Sequence, residues 1–166
     1  MRRHLAVLLG LVILLLVNQA VWDKEQQLRD GRVVLLALAP VDPRSLMQGD
    51  YMRLRYAVET EAMSRLDIKT EPTQDGYLVV QLDKEGVATL QGISRERSKA
   101  TAPDTEQLRF RLRHGVFKLA GNAFFFEEGT AERYTKAKFG EFRVGDDGEL
   151  LLVGLRGEKR EKLGNP

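Results

Sequence analysis

Cysteine and histidine, the side chains most often used for nucleophilic, metal and acid–base chemistry, are scarce in these 166 residues. There is no cysteine and there are two histidines. Lack of cysteine excludes disulfides, thiolate zinc sites and thiol catalysis together, and fits either side of a membrane. His114 follows a run of arginines and precedes Gly115, the setting of a turn residue rather than a catalyst. No paired histidines, no His/Asp/Glu set at metal-ligand spacing and no glycine-rich phosphate loop occur, so no metal or cofactor is expected. Glu127-Glu128 and Asp146-Asp147 are adjacent pairs, and neighbours on a strand or turn point apart rather than converge for acid–base work. One enzymatic hypothesis survives: Ser45 as a nucleophile, with Lys84 or Lys99 as its base. A lysine becomes a base only where burial lowers its pKa, and these two fall in a polar hairpin turn and a polar loop. The expectation is a domain that is not an enzyme.

Charge narrows the partners. Arg2 and Arg3 apart, the remaining Lys and Arg equal the 24 acidic residues, so the body of the chain is neutral despite a sequence pI of 8.9. A neutral body of mixed charge lacks the sustained positive field that phosphate backbones demand, and nucleic acid is set aside. Residues 1–22 want lipid: Met1-Arg2-Arg3-His4 is basic, Leu5 to Val17 is unbroken apolar sequence with only Gly10 to weaken it, and Trp22 closes the segment. A cleaved signal has an apolar core of ~7–15 residues and an anchor needs ~17–25. The strict run suits the first; counted through Trp22 it suits the second. Asn18 stands where a signal peptidase cutting after Ala20 wants a small residue, which tips the balance to an uncleaved anchor. A buried helix is a poor third, because no polar face interrupts the run. With Arg2 and Arg3 cytoplasmic, the rest faces outward, the periplasm in a Gram-negative cell, on a single-pass protein of the inner membrane.

The elements that position the remaining residues are mostly strands. Residues 23–31 form a charged stalk able to prolong the helix as far as Gly31. A domain follows over residues 32–156, with a charged tail over 157–166. Arg32 to Ala39 reads as a central strand, and Pro40 and Pro43 force the chain out of the ladder. Asp50 to Val58 alternates, with Met52, Leu54 and Tyr56 inward and Tyr51, Arg53 and Arg55 outward. Thr60 to Ile68 suits a short helix capped by Thr60 with Ala62, Met63 and Leu66 inward. Asp83 to Gly86 and Gly145 to Gly148 mark two hairpins, and residues 94–106 a polar surface loop. Leu108, Phe110 and Leu112 alternate with Arg109, Arg111 and Arg113. Thr130 to Gly140 suits a second short helix, begun by Thr130 and ended by Gly140. Strands without a βαβ rhythm predict a mainly β (α+β) fold: an N-terminal transmembrane helix, then one antiparallel sheet or partly closed β-barrel with one or two short helices.

Gly49-Asp50-Tyr51-Met52-Arg53-Leu54-Arg55-Tyr56 reads Gly-Asp-Tyr-x-x-Leu-x-Tyr and resembles the bacterial family named for that motif, the GDYXXLXY proteins. The likeness extends to Pro40 to Leu46, Phe124 to Gly129, Ala131 to Tyr134 and the stretch ending at Val144. It implies a short, membrane-associated accessory domain without an established activity, of a kind often encoded beside or fused to multi-pass membrane proteins. Packing and turn chemistry explain Gly49, Asp50, Leu54 and Tyr56. Tyr51 points outward, where its ring can stack on a guanidinium or line a groove. The leading expectation is a non-catalytic interaction domain that meets an integral membrane protein through Asp42, Arg44, Ser45 and the motif, Gly49 to Tyr56, beside the arginine-faced strands. If Arg53 and Arg55 neighbour Arg109, Arg111 and Arg113, they make one basic face; otherwise acids such as Glu127, Glu141 and Glu149 neutralise them across strands. The enzymatic alternative is a signal-peptidase-like serine–lysine protease built on Ser45.

Overall fold

The computed structural model describes residues 2–39, 47–48, 51–66, 71–98 and 102–164. One long helix, α1 (Arg2–Asp30), carries the apolar segment straight through the polar connector. From Val7 to Val17 its side chains lie open on every side, Leu15 being 68% exposed. An apolar surface all round a helix belongs in lipid rather than against a protein core. By length and composition Val7–Asp30 qualifies as a membrane span, as a single-pass anchor or a signal sequence would.

Three antiparallel sheets follow. β1 (Arg32–Ala37), β9 (Phe139–Val144), β10 (Leu150–Arg156) and β11 (Lys162–Leu163) lie side by side in that order. A second sheet has the order β5 (Ala88–Ser94), β4 (Gln74–Leu82), β6 (Thr105–Arg113), β7 (Val116–Lys118). The third is small: β2 (Met47–Gln48), β3 (Tyr51–Arg53) and β8 (Ala123–Phe125). A helix, α2 (Ala57–Arg65), and one 3-10 turn, η1 (Ala131–Tyr134), complete the chain.

The two larger sheets curl into a half-barrel. Leu35 bridges Val87 in parallel, and its N–H donates to the Gly86 carbonyl at 2.8 Å, which brings β1 against the start of β5. Elsewhere the Arg109 N–H donates to the Gly148 carbonyl at 2.8 Å, holding the β9–β10 turn on β6. Inward-facing positions of both sheets, joined by Tyr56 from the segment before α2, fill the space between: Leu36, Tyr56, Leu78, Leu108, Phe110 and Phe142 are each at most 1% exposed. Both hairpin turns form where expected, and Asp83 Oδ1 accepts from the Glu85 and Val87 amides at 2.9 and 2.8 Å.

Several expectations are corrected. β1 is buried on both faces at Val34 to Leu36, yet it is the outermost strand of its sheet, not a central one. The motif strand ends at Arg53, although its parity persists, with Leu54 and Tyr56 buried. α2 starts at Ala57 because the Tyr56 carbonyl accepts from the Glu59 N–H at 3.1 Å while the Glu59 carboxylate accepts from the Tyr56 N–H at 3.4 Å. Thr60 therefore sits inside the helix, Val58 and Ala62 face the core, and Met63 is exposed. The helix expected after Thr130 is the single turn η1; the Thr130 hydroxyl donates back to the Glu127 carbonyl instead of capping it. Gly140 ends no helix. It lies within β9, where a Cβ would come 2.9 Å from the Phe142 ring and 3.2 Å from the Tyr56 ring. Part of the charged tail returns as β11. Arg53 belongs to the small sheet and Arg109, Arg111 and Arg113 to the second, so the single basic face does not form.

Candidate interaction surface

Within the motif, parity divides the residues between core and surface. The Tyr56 ring meets Phe142 edge-on at 5.3 Å, and its hydroxyl donates to the Gly121 carbonyl at 2.8 Å. Burial, reinforced by the nearby Glu59 charge, pushes the phenol far above its ordinary pKa. Glu59 is itself held above the usual carboxylate range by burial, although the Tyr56 and Leu119 amides and the Arg55 charge oppose the shift. Leu54 and Tyr56 are thus parts of the core rather than of a binding face. Behind β8, Phe124 packs against Tyr134 at 5.0 Å and Phe126 stacks on the same ring at 5.4 Å.

The outer face of the small sheet is different. Tyr51 lies directly across from Phe125, with ring centroids 5.7 Å apart and planes at 40°. Its neighbour is thus an aromatic ring. Phe125 is 73% exposed, more than any other large apolar side chain among the described residues. Arg53 and Arg55 are exposed, and neither forms an ion pair among the described residues. Phe125 was not singled out by sequence reasoning; the signal available was parity along Phe124-Phe125-Phe126, and the pairing of β8 with β3 supplies the rest. Asp42, Arg44, Ser45, Gly49 and Asp50 lie outside the described residues.

The arginine-faced strand β6 is largely occupied with structure. Arg109 pairs with Asp147 at 3.2 Å. Arg113 pairs with Asp75 at 2.6 Å and holds that carboxyl below its ordinary range. Glu141 and Glu149 do neutralise cations, but those of Arg156 at 2.9 Å and Lys24 at 2.7 Å. Burial, the largest single influence on Glu141, pushes its pKa up, but the Arg156 hydrogen bond and the charges of Arg156, Lys162 and Arg143 together outweigh it and the net shift is downward.

Of the residues weighed for catalysis, Ser45 and Lys99 lie outside the described residues, while Lys84 is exposed in the hairpin turn after β4. His114 (φ 51°) and Gly115 (φ 77°) form the two-residue turn between β6 and β7, where paired left-handed residues match the twist of a tight hairpin. Among the described residues no group of three His, Asp or Glu side chains is placed to hold a metal ion.

A concavity lies where α1 meets the domain. The Gln27 side chain, 9% exposed, donates from Nε2 to the carbonyls of Arg143 at 3.0 Å and Glu149 at 2.8 Å. Its Oε1 accepts from Lys24 Nζ at 3.1 Å, and the Arg143 guanidinium donates to the Gly31 carbonyl at 2.9 Å. Helix and β9–β10 hairpin are clamped together, so the expected stalk is part of the fold. Beside this clamp opens a cleft of about 690 Å³, running along α1 from Ala20 to Gly31 and closed on its other side by the turn from Val144 to Glu149, with Arg97 at its edge.

The family model described as GDYXXLXY protein matches residues 13–155. No curated protein and no solved structure matches the chain.

Proposed function

Because the chain belongs to the GDYXXLXY family, whose model spans most of its length, we propose that it is a non-catalytic interaction domain anchored by α1 in a bacterial inner membrane, presented to the periplasm, and bound to an integral membrane protein. The observation that carries this reading is the outer face of the motif sheet, where Phe125, 73% exposed, stands beside Tyr51 and on the same small sheet as Arg53. A lone exposed ring would be ordinary, but two touching rings with an arginine on the same sheet combine the aromatic and arginine side chains that dominate interface energetics. The partner surface that fits them is an apolar socket with acidic side chains at its rim. The positive Arg2 and Arg3 ahead of the apolar helix favour the outward orientation of the domain, and a helical anchor keeps it beside integral membrane partners.

The test is in-cell crosslinking of the full-length protein with a photoreactive residue at Phe125, followed by mass spectrometry of the captured species. One dominant integral membrane protein is expected, and Arg53→Glu should reduce its capture at least tenfold, about 1.4 kcal/mol, with an unchanged melting temperature. Absence of any specific adduct, or a melting temperature that falls with the Arg53 change, overturns the reading in favour of packing.

A further inference from the structure

The interaction face leaves the cleft at the foot of α1 without a role, and an inference about it rests on the reading of α1 as a retained membrane anchor. The clamp at Gln27 fixes the cleft relative to lipid. The apolar stretch ends at Val21, and Trp22, 68% exposed, is a residue type that settles at the membrane–water interface. Gln27 follows five residues later, about 7.5 Å along the helix at a rise of ~1.5 Å per residue. The headgroup region is roughly 5–8 Å deep on each side of the hydrocarbon core. A cleft that begins at Ala20 and reaches Gly31 therefore has its lower half inside the headgroup layer.

Its charges are of both signs and partly committed. Lys24 is taken by Glu149, and Arg32 by Glu106 and the Pro103 carbonyl. Arg97, Asp23, Asp30 and Asp146 also line the cleft, and none of them forms an ion pair among the described residues, so its uncommitted charge is three carboxylates and one guanidinium. A headgroup with a phosphate and a primary ammonium satisfies both kinds of charge at once. An anionic glycerol headgroup offers the unpaired carboxylates only neutral hydroxyl donors and adds a net negative charge beside them, so it lacks the Coulombic gain of an ammonium. We propose that the cleft seats the headgroup of a zwitterionic, phosphoethanolamine-type phospholipid, its phosphate on Arg97 and its ammonium towards Asp23 and Asp146.

The experiment places the full-length protein in nanodiscs of equal phosphatidylethanolamine and phosphatidylglycerol and reads, by native mass spectrometry, the lipid that leaves with it. Phosphatidylethanolamine should be retained about fivefold over phosphatidylglycerol, and both Arg97→Ala and Asp146→Asn should bring the ratio to parity without lowering the melting temperature. Parity or the reverse preference in the unaltered chain, or a preference that survives both substitutions, overturns the assignment. Displacement of the lipid by millimolar soluble O-phosphoethanolamine also overturns it, since the cleft would then read a free headgroup. Carbonate extraction of the same cells separates the two readings: a shortened, released chain removes the anchor and this proposal together, whereas a full-length, resistant chain without lipid preference removes the cleft assignment alone.

Discussion

At the scale of single residues, Glu59 shows how one side chain serves a fold at a cost. Its carboxylate accepts from the Tyr56 amide and so sets the start of α2, but the site is half-buried and its pKa is raised mainly by burial. The folded chain therefore holds the Glu59 proton more tightly than the unfolded chain does, so protonation favours folding. Stability contributed by this group rises as pH falls through the raised value and is fully present below the ordinary glutamate value of ~4.3. Glu141 runs the other way: its net shift is downward, so its contribution is present above the ordinary value and is lost as pH falls through the lowered one. Glu59→Gln keeps an acceptor for the Tyr56 amide and removes the ionisation. Thermal melts between pH 4.5 and 7 should be flatter with pH in this variant than in the parent, and an unchanged slope would show that Glu59 titrates as an ordinary surface acid.

At the scale of elements, the junction of α1 with the β9–β10 hairpin is the most informative contact. Gln27→Leu removes the amide, so the Arg143 carbonyl loses this donor and the Glu149 carbonyl keeps only the Gly145 N–H, a loss of about 1–3 kcal/mol where water cannot replace it. The variant should melt several degrees lower, whereas Gln26→Leu, one position along the same helix and exposed, should not. None of this could be read along the chain, since Gln26 and Gln27 are adjacent, identical and embedded in polar sequence; only the angular position of residue 27 on α1 selects it. Alternation, by contrast, needs nothing but the pleat. Met52, Leu54 and Tyr56, like Leu108, Phe110 and Leu112, are buried as their spacing demands. The helix after Thr130 failed because its markers were local ones, a hydroxyl residue at one end and a glycine at the other. Gly140 proved to be selected by two aromatic rings, one from the motif and one two residues along its own strand. The candidate surface was half legible for the same reason: Tyr51 and Arg53 follow from parity, while Phe125 requires the knowledge that β8 lies beside β3.

At the scale of the whole molecule, the half-barrel depends on a few points where its two sheets touch, and the turn at Gly148 is one of them. Gly148 has φ +80°, and a Cβ there would lie 2.6 Å from the Gln107 carbonyl oxygen. Gly148→Val should therefore lift the β9–β10 turn from β6 and cost more than about 2 kcal/mol, from backbone strain and steric displacement together. Asp147→Asn at the same contact keeps an acceptor for the Glu149 amide and should cost no more than about 1 kcal/mol, because the pair with Arg109 that it weakens is exposed to solvent. Chemical denaturation of the two variants checks the contrast; equal losses would mean that charge, not close approach, closes the half-barrel. The clamp at Gln27 also has a consequence in angle. An uninterrupted helix converts residue count into rotation, about 100° per residue, so the side of α1 that would face any neighbouring helix and the compass bearing of Phe125 are one variable. Deleting Asp23, ahead of Lys24 and Gln27, would leave the contacts of both with the domain in place and still aim the motif sheet away from whatever α1 lies against, whereas inserting four residues at the same point would bring it back to within about 40° of the original heading.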